Sequence, residues 1–129
     1  MEFRLVPAVT QWEPLIGYSR ALRAGSFVNV SGTVALDETG EIVGRDDPYQ
    51  QTRYVLRRIQ QALAELDCKV SSVTRTRVYL KRIRDWQEVG RAYSEVFGQL
   101  KPTSTWLGVN ELIHPDALIE IEVEAFIAS

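Results

Sequence analysis

A chain of 129 residues with 45% hydrophobic and 25% charged positions has the size and apolar content to bury one ordinary core, so residues 1–129 read as a single domain. Fifteen Lys plus Arg against seventeen Asp plus Glu, closely mixed, give a formal net charge of -2 and argue against the broad basic surface of a general nucleic-acid binder. No stretch approaches the roughly 18 to 20 apolar residues of a membrane helix, and Met1-Glu2-Phe3-Arg4 opens no export signal, so a cytoplasmic protein without membrane attachment is expected.

The first strand is expected at residues 3–7, followed by strands at 21–23 and 27–31 and a short strand at 33–36 that turns through Asp37-Glu38-Thr39-Gly40. Asp47 then reads as an N-cap with Pro48 in the first helical position, where a missing N–H costs nothing. Thr52, Val55, Ile59, Leu63 and Leu66 follow at helical spacing, which predicts a helix over 48–67. A strand at 73–80 precedes a second helix, with Asp85 as N-cap and Glu88 at capping-box distance. That helix places Val89, Tyr93, Val96 and Leu100 on one face and stops before Pro102. Strands at 103–109 and 118–127 close the chain.

Two strands have an unusual alternation. Period two puts Arg75, Arg77 and Tyr79 on one face of the first, and Glu120, Glu122 and Glu124 on one face of the last. The order of elements predicts an α+β layer in which both helices cover one side of a β-sheet. The uncovered face, with its Arg and Glu ladders, suits contact with further copies of the chain, so a symmetric oligomer is expected.

Few residues suggest metal or nucleophile chemistry. Cys68 is the single cysteine and His114 the single histidine, too few for a disulfide or a structural zinc site, and no metal or other cofactor is expected. Cys68 has no evident basic neighbour in sequence, and His114 has no Ser or Cys motif beside it. Arg53, Arg57 and Arg58 could line one helix, but a solvated amphipathic face explains them and no interleaved aromatics offer bases a stacking platform.

Val30-Ser31-Gly32, Pro102-Thr103-Ser104-Thr105 before a strand, and the closing Ile119-Glu120-Ile121-Glu122-Val123-Glu124-Ala125 together resemble the RidA/YjgF family across nearly the whole chain. The resemblance implies a chorismate-mutase-like fold assembled as a homotrimer with clefts between subunits. It also implies cofactor-free hydrolysis of reactive enamines and imines to carbonyl compounds and ammonia. On it, Glu120 is the glutamate that positions or activates water, Tyr18 lines the cleft, and Ser31 and Gly32 face a small-molecule ligand.

Ser104 stands where the deaminases of the family carry the arginine that clamps a substrate carboxylate, and Gly90 replaces a residue that is often asparagine. Each charge-assisted hydrogen bond lost with that arginine is worth roughly 1.5 to 3 kcal/mol, about tenfold to a hundredfold in affinity. Arg20, Arg77 and Arg91 are the candidate replacements; Arg77 is preferred because it shares a strand face with Tyr79. Trp106, two residues beyond Ser104, is placed to reshape the cleft or to pack in the core or an interface. Three functions follow as expectations: an imine or enamine hydrolase, a non-catalytic ligand-binding or regulatory trimer and, with least support, an endoribonuclease or translation inhibitor.

Overall fold

The computed structural model describes residues 3–128. Its strands are β1 (Phe3–Pro7), β2 (Ser19–Ala24), β3 (Phe27–Thr33), β4 (Val73–Leu80), β5 (Thr103–Gly108) and β6 (Ile119–Phe126). Its helices are α1 (Glu13–Ile16), a single turn, then α2 (Pro48–Glu65) and α3 (Trp86–Phe97). The strands form one sheet in the order β1-β2-β3-β6-β4-β5, in which only the β4 and β5 pair is parallel.

The covered face follows from the alternation. Val28 and Val30 of β3, Val78 of β4, and Ile121 and Val123 of β6 are buried in one cluster with Val55, Leu56, Ile59 and Leu63 of α2 and Val89 and Phe97 of α3. Full burial of such a side chain contributes roughly 1.5–3 kcal/mol. On the other side, Phe3, Leu5, Phe27, Leu107 and Phe126 stay exposed, and Phe27 and Phe126 meet edge to face at 5.2 Å.

α2 begins as its sequence requires, with the Asp47 carboxylate accepting from the Gln50 N–H at 3.0 Å and Pro48 beginning the helix. It ends two residues before the expected limit, and Asp67 lies outside it with φ 56°. α3 is capped differently from expectation. A 3-10 turn over Ile83–Asp85 leads into it, and the Asp85 carboxylate receives Arg82 Nε at 2.8 Å instead of closing a capping box. Leu100 lies beyond the helix and is exposed, and Phe97 takes the buried place.

The expected strand at 33–36 does not form. Its first residue ends β3, and the rest reduces to a bridge between Leu36 and Ile42 around a turn in which the Asp37 carboxylate accepts from the N–H groups of Thr39 and Glu41. Val34, Leu36, Ile42 and Ala117 make a second, smaller buried cluster beside this turn. Gln51 of α2 ties it down. Its fully buried amide donates to the carbonyls of Gly44 and Asp116 at 3.1 Å each and accepts from the Leu118 N–H at 2.8 Å. Three backbone groups of two loops are thereby satisfied by one side chain.

Candidate functional site

A cavity of about 200 Å³ opens where β2, β3 and β6 meet the loops around α1. It is smaller than the roughly 300–1,000 Å³ of pockets for drug-sized ligands and suits a small metabolite. Tyr18, Arg20, Ser31, Gly32, Arg58 and Glu120, with Thr10 and Thr33, supply its polar lining, and Trp12, Ile16, Val34, Leu36 and Ile113 are among its other walls.

The position of Glu120 depends on an irregularity in β3. The pairing of β3 with β6 runs regularly to Val30 and Val123 and then slips, so that Thr33 pairs with Ile121 and Ser31 and Gly32 leave the ladder. Gly32 therefore lies under the Glu120 carboxylate, and a Cβ at position 32 would overlap Oε2. Bulges of this kind re-aim side chains near functional sites. Burial raises the Glu120 pKa above the ordinary glutamate range; the Arg20 charge opposes the shift and the Glu122 charge adds to it.

Arg20 of β2 donates from Nη2 to the Gly32 carbonyl at 2.9 Å, and its guanidinium lies 5.7 Å from the centre of the Tyr18 ring. Burial lowers its pKa; Tyr18 and Glu120 counteract this, and the Arg58 charge reinforces it. Tyr18 follows Gly17, whose φ of 70° closes α1. The Tyr18 hydroxyl meets Thr10 Oγ1 at 2.5 Å, and the same Thr10 oxygen accepts from the Glu13 N–H at 3.3 Å. The Ser31 hydroxyl donates to the Ser19 carbonyl at 2.7 Å and so fixes the start of the bulge.

The expected site residues thus divide into three places. Glu120, Tyr18, Ser31 and Gly32 meet in the cavity. Arg77 does not: its guanidinium is held by Glu124 at 2.6 Å and Glu122 at 3.6 Å on the open face of the sheet. Strand alternation identifies the face of Arg77 but not the carboxylates that occupy it, and within the chain Arg77 stays apart from the cavity. Arg91 is committed elsewhere as well, pairing with Glu88 at 2.8 Å and lying 3.8 Å from the centre of the Tyr49 ring. Of the three candidate cations, Arg20 alone lines the cavity.

Gly90, Ser104 and Trp106 form the third group, where β5 packs against α3. Ser104 Oγ lies 2.6 Å from Thr76 Oγ1 and accepts from Trp106 Nε1 at 2.7 Å, and Thr76 Oγ1 lies 2.7 Å from the Tyr93 hydroxyl. The Trp106 and Tyr93 rings meet edge to face at 5.2 Å. A Cβ at Gly90 would come no nearer than 4.0 Å to Trp106, so packing does not demand glycine there. Within the chain this network is separate from the Glu120 cavity.

The sequence reading assigned no site role to Arg58, Thr10 or Ile113. Arg58 precedes the buried Ile59 on α2, so it flanks the covered face, and that was the available signal. Thr10 and Ile113 lie in loops with no periodicity to read. Among the described residues no cluster of three or more His, Cys, Asp or Glu is placed to hold a metal, and no helix is long and apolar enough to cross a membrane.

Residues 9–127 match the family model described as Endoribonuclease L-PSP. An uncharacterized protein of Streptomyces coelicolor, SCO2049, is 39% identical over 95% of this chain and 91% of its own. The 3-aminoacrylate deaminase RutC of Acinetobacter baylyi is 35% identical over 84% of this chain and 85% of its own. The crystal structure of Rv2704 from Mycobacterium tuberculosis, a member of the YjgF/YER057c/UK114 family, covers 98% of this chain and 100% of its own with 36% identity and a TM-score of 0.88. With its mixed sheet of chorismate-mutase-like fold, the chain belongs to the YjgF/RidA family.

Proposed function

We propose that the cavity around Glu120 binds a small reactive enamine or imine and hydrolyses it, without a cofactor, to a carbonyl compound and ammonia. The observation that carries this reading is the environment of Glu120. Its carboxylate is drawn out of the ladder, over Gly32 and beside Arg20, with its pKa raised by burial. Such a carboxylic acid can give a proton to the substrate carbon or nitrogen, take one from the water that adds to the C=N carbon, return it to nitrogen as ammonia leaves, and take back the hydroxyl proton as the C–OH closes to the carbonyl. Glu120 is the acid/base in this scheme, and Tyr18, Ser31 and Gly32 form the wall that orients the substrate. The similarity to a relative named 3-aminoacrylate deaminase supports the same reaction class.

The assembly belongs to the proposal. We read the protein as a single-domain cytoplasmic homotrimer joined through the open sheet face, where Phe3, Leu5, Phe27, Leu107 and Phe126 are exposed. Ser104, Trp106 and Gly90 would then serve a neighbouring subunit's cleft from the β5 edge, and light scattering that finds a monomer at micromolar concentration would remove that role.

One observation favours a second reading, a ligand-binding trimer without catalysis. Ser104 offers a neutral hydroxyl already engaged by Thr76 and Trp106, where the family resemblance places a cation. The two are separated by following ammonia and keto-acid release from freshly generated 2-aminoacrylate and bulkier imines with the wild type, Glu120→Ala and Ser104→Arg. Turnover abolished by Glu120→Ala supports the hydrolase. Silence in the wild type and in Ser104→Arg supports the binding protein. Cleavage of RNA that survives Glu120→Ala would support the activity in the family description instead.

A further inference from the structure

We propose that Arg20, together with Arg58, is the anion-binding element of the Glu120 cavity, and that the ligand is a monoanion with an apolar body. The inference rests on the preceding reading that this cavity is the ligand site, and it adds the residues and the ligand charge.

Charge balance is the first argument. The ionisable groups that line the cavity are Arg20, Arg58, Glu120 and the phenol of Tyr18, so even with Glu120 ionised the lining keeps an unmatched positive charge. Seven other arginines, at positions 4, 45, 53, 75, 77, 82 and 91, each have a carboxylate within 4.0 Å. Among the described residues Arg20, Arg23, Arg57, Arg58 and Arg84 have none, and of these five only Arg20 and Arg58 line the cavity; Arg58 donates to the Tyr54 hydroxyl at 3.3 Å. A single anionic group entering the cavity would complete the balance.

Arg20 also carries an orphaned donor. Arg20 Nη2 is satisfied by the Gly32 carbonyl, but Arg20 Nε is buried without any hydrogen-bond partner, the one such side-chain atom among the described residues. A buried unpaired donor on a charged group is costly and uncommon; Nε itself is closed off from the cavity, so an oxyanion there would meet the guanidinium through its remaining Nη N–H groups, and it is the acceptor that suits a guanidinium best. The Gly32 carbonyl and the Tyr18 ring already fix the guanidinium in place, so binding would cost little further ordering.

The third argument concerns the rest of the ligand. Ile16, Leu36 and Ile113 line the same cavity and offer nothing to a second charge or a hydrated group, and Trp12 adds an aromatic wall. They favour an aliphatic or aromatic substituent on the anion. An anion site built from β2 and α2 also makes a cation on β5 unnecessary, consistent with Ser104 being absorbed into hydrogen bonds with Thr76 and Trp106.

The test is titration calorimetry on the full chain with 4-methyl-2-oxopentanoate and with its primary amide, for the wild type, Arg20→Gln and Arg58→Gln. The wild type should bind the acid at least about tenfold more tightly than the amide, and either substitution should reduce that preference by about tenfold. Equal affinity for acid and amide, no binding of either, or full preference retained in Arg20→Gln would overturn the proposal. If Arg20→Gln melts before binding can be read, Arg58→Gln is scored by the same criterion. Ammonia release measured in parallel separates the two ideas. Acid-selective binding without turnover keeps the anion site and discards the hydrolase, whereas Glu120-dependent turnover with an unchanged KM in Arg20→Gln does the reverse.

Discussion

Glu120, Glu122 and Glu124 share one strand and one alternation, yet the fold treats them as two regions. Glu122 and Glu124 face Arg77 and Arg75 across the β4 and β6 register, and the Tyr79 hydroxyl donates to Glu122. They form a cross-strand ladder of half-exposed ion pairs, a common way to satisfy a charged sheet face. Glu120 faces Tyr79 in the same register, but the Tyr79 hydroxyl is committed to Glu122, and the slip in β3 opens a space over Gly32 into which Glu120 fits. A local change in a neighbouring strand therefore distinguishes one glutamate from two others in the same alternation of one strand.

The comparison is broken most severely by removing the acid. Glu120→Gln should lower turnover of an imine substrate by about 10²- to 10⁴-fold, while Glu124→Gln stays within about twofold of the wild type. Equal losses in steady-state assays would mean that the cleft and the ladder are one system. Gly32→Ala should come next, with a loss of about a hundredfold. The new methyl group displaces the Glu120 carboxylate, but φ at Gly32 is not positive, so the melting temperature should change little. Calorimetry beside the activity assay checks both halves of that statement.

Gln51→Ala sharpens the comparison from outside the sheet. It leaves the Gly44 and Asp116 carbonyls and the Leu118 N–H without their buried partner, at a cost of about 1–3 kcal/mol of folding stability. Hydrogen exchange should then speed up in the loops around Leu36 and Ile113 before it does in β4 and β6.

A smaller effect is expected in the pH dependence of stability. Because burial raises the Glu120 pKa in the native state, the folded protein binds that proton more tightly than the unfolded chain. Its contribution to stability is therefore fully present below the ordinary glutamate pKa of about 4.3 and is lost as pH rises through the raised native value. Glu120→Gln should accordingly melt higher than the wild type at pH 7 and lose that advantage below about pH 4. A melting-temperature difference that grows on acidification would contradict the buried placement of this carboxyl. The smallest change is expected from Arg77→Gln, with turnover within about twofold of the wild type and a slight, salt-sensitive fall in melting temperature. A large loss of activity there would return Arg77 to the site.

Local and periodic features were legible in the sequence. Asp47-Pro48 marks the start of α2, the helical spacing of Val55, Ile59 and Leu63 identifies its buried face, and alternation in residues 73–80 and 119–124 shows which side of the sheet carries charge. These signals survive because hydrogen-bond geometry repeats every 3.6 or 2 residues, and burial of one face leaves its mark in the sequence. The resemblance that singled out Glu120, Tyr18, Ser31 and Gly32 named residues that do meet around one cavity.

Which partners those residues have was decided by tertiary structure. Arg77 and Arg20 are both strand arginines beside polar neighbours, and nothing local says that one will face two glutamates while the other loses its solvent and keeps an unpaired Nε. Gln51 reads as an ordinary helix residue until the loop before α2 and the distant loop before β6 bring it two carbonyls and an N–H. Periodicity fixes the face on which a side chain emerges, but its partners come from segments tens of residues away, and a one-residue slip in their pairing is enough to change them.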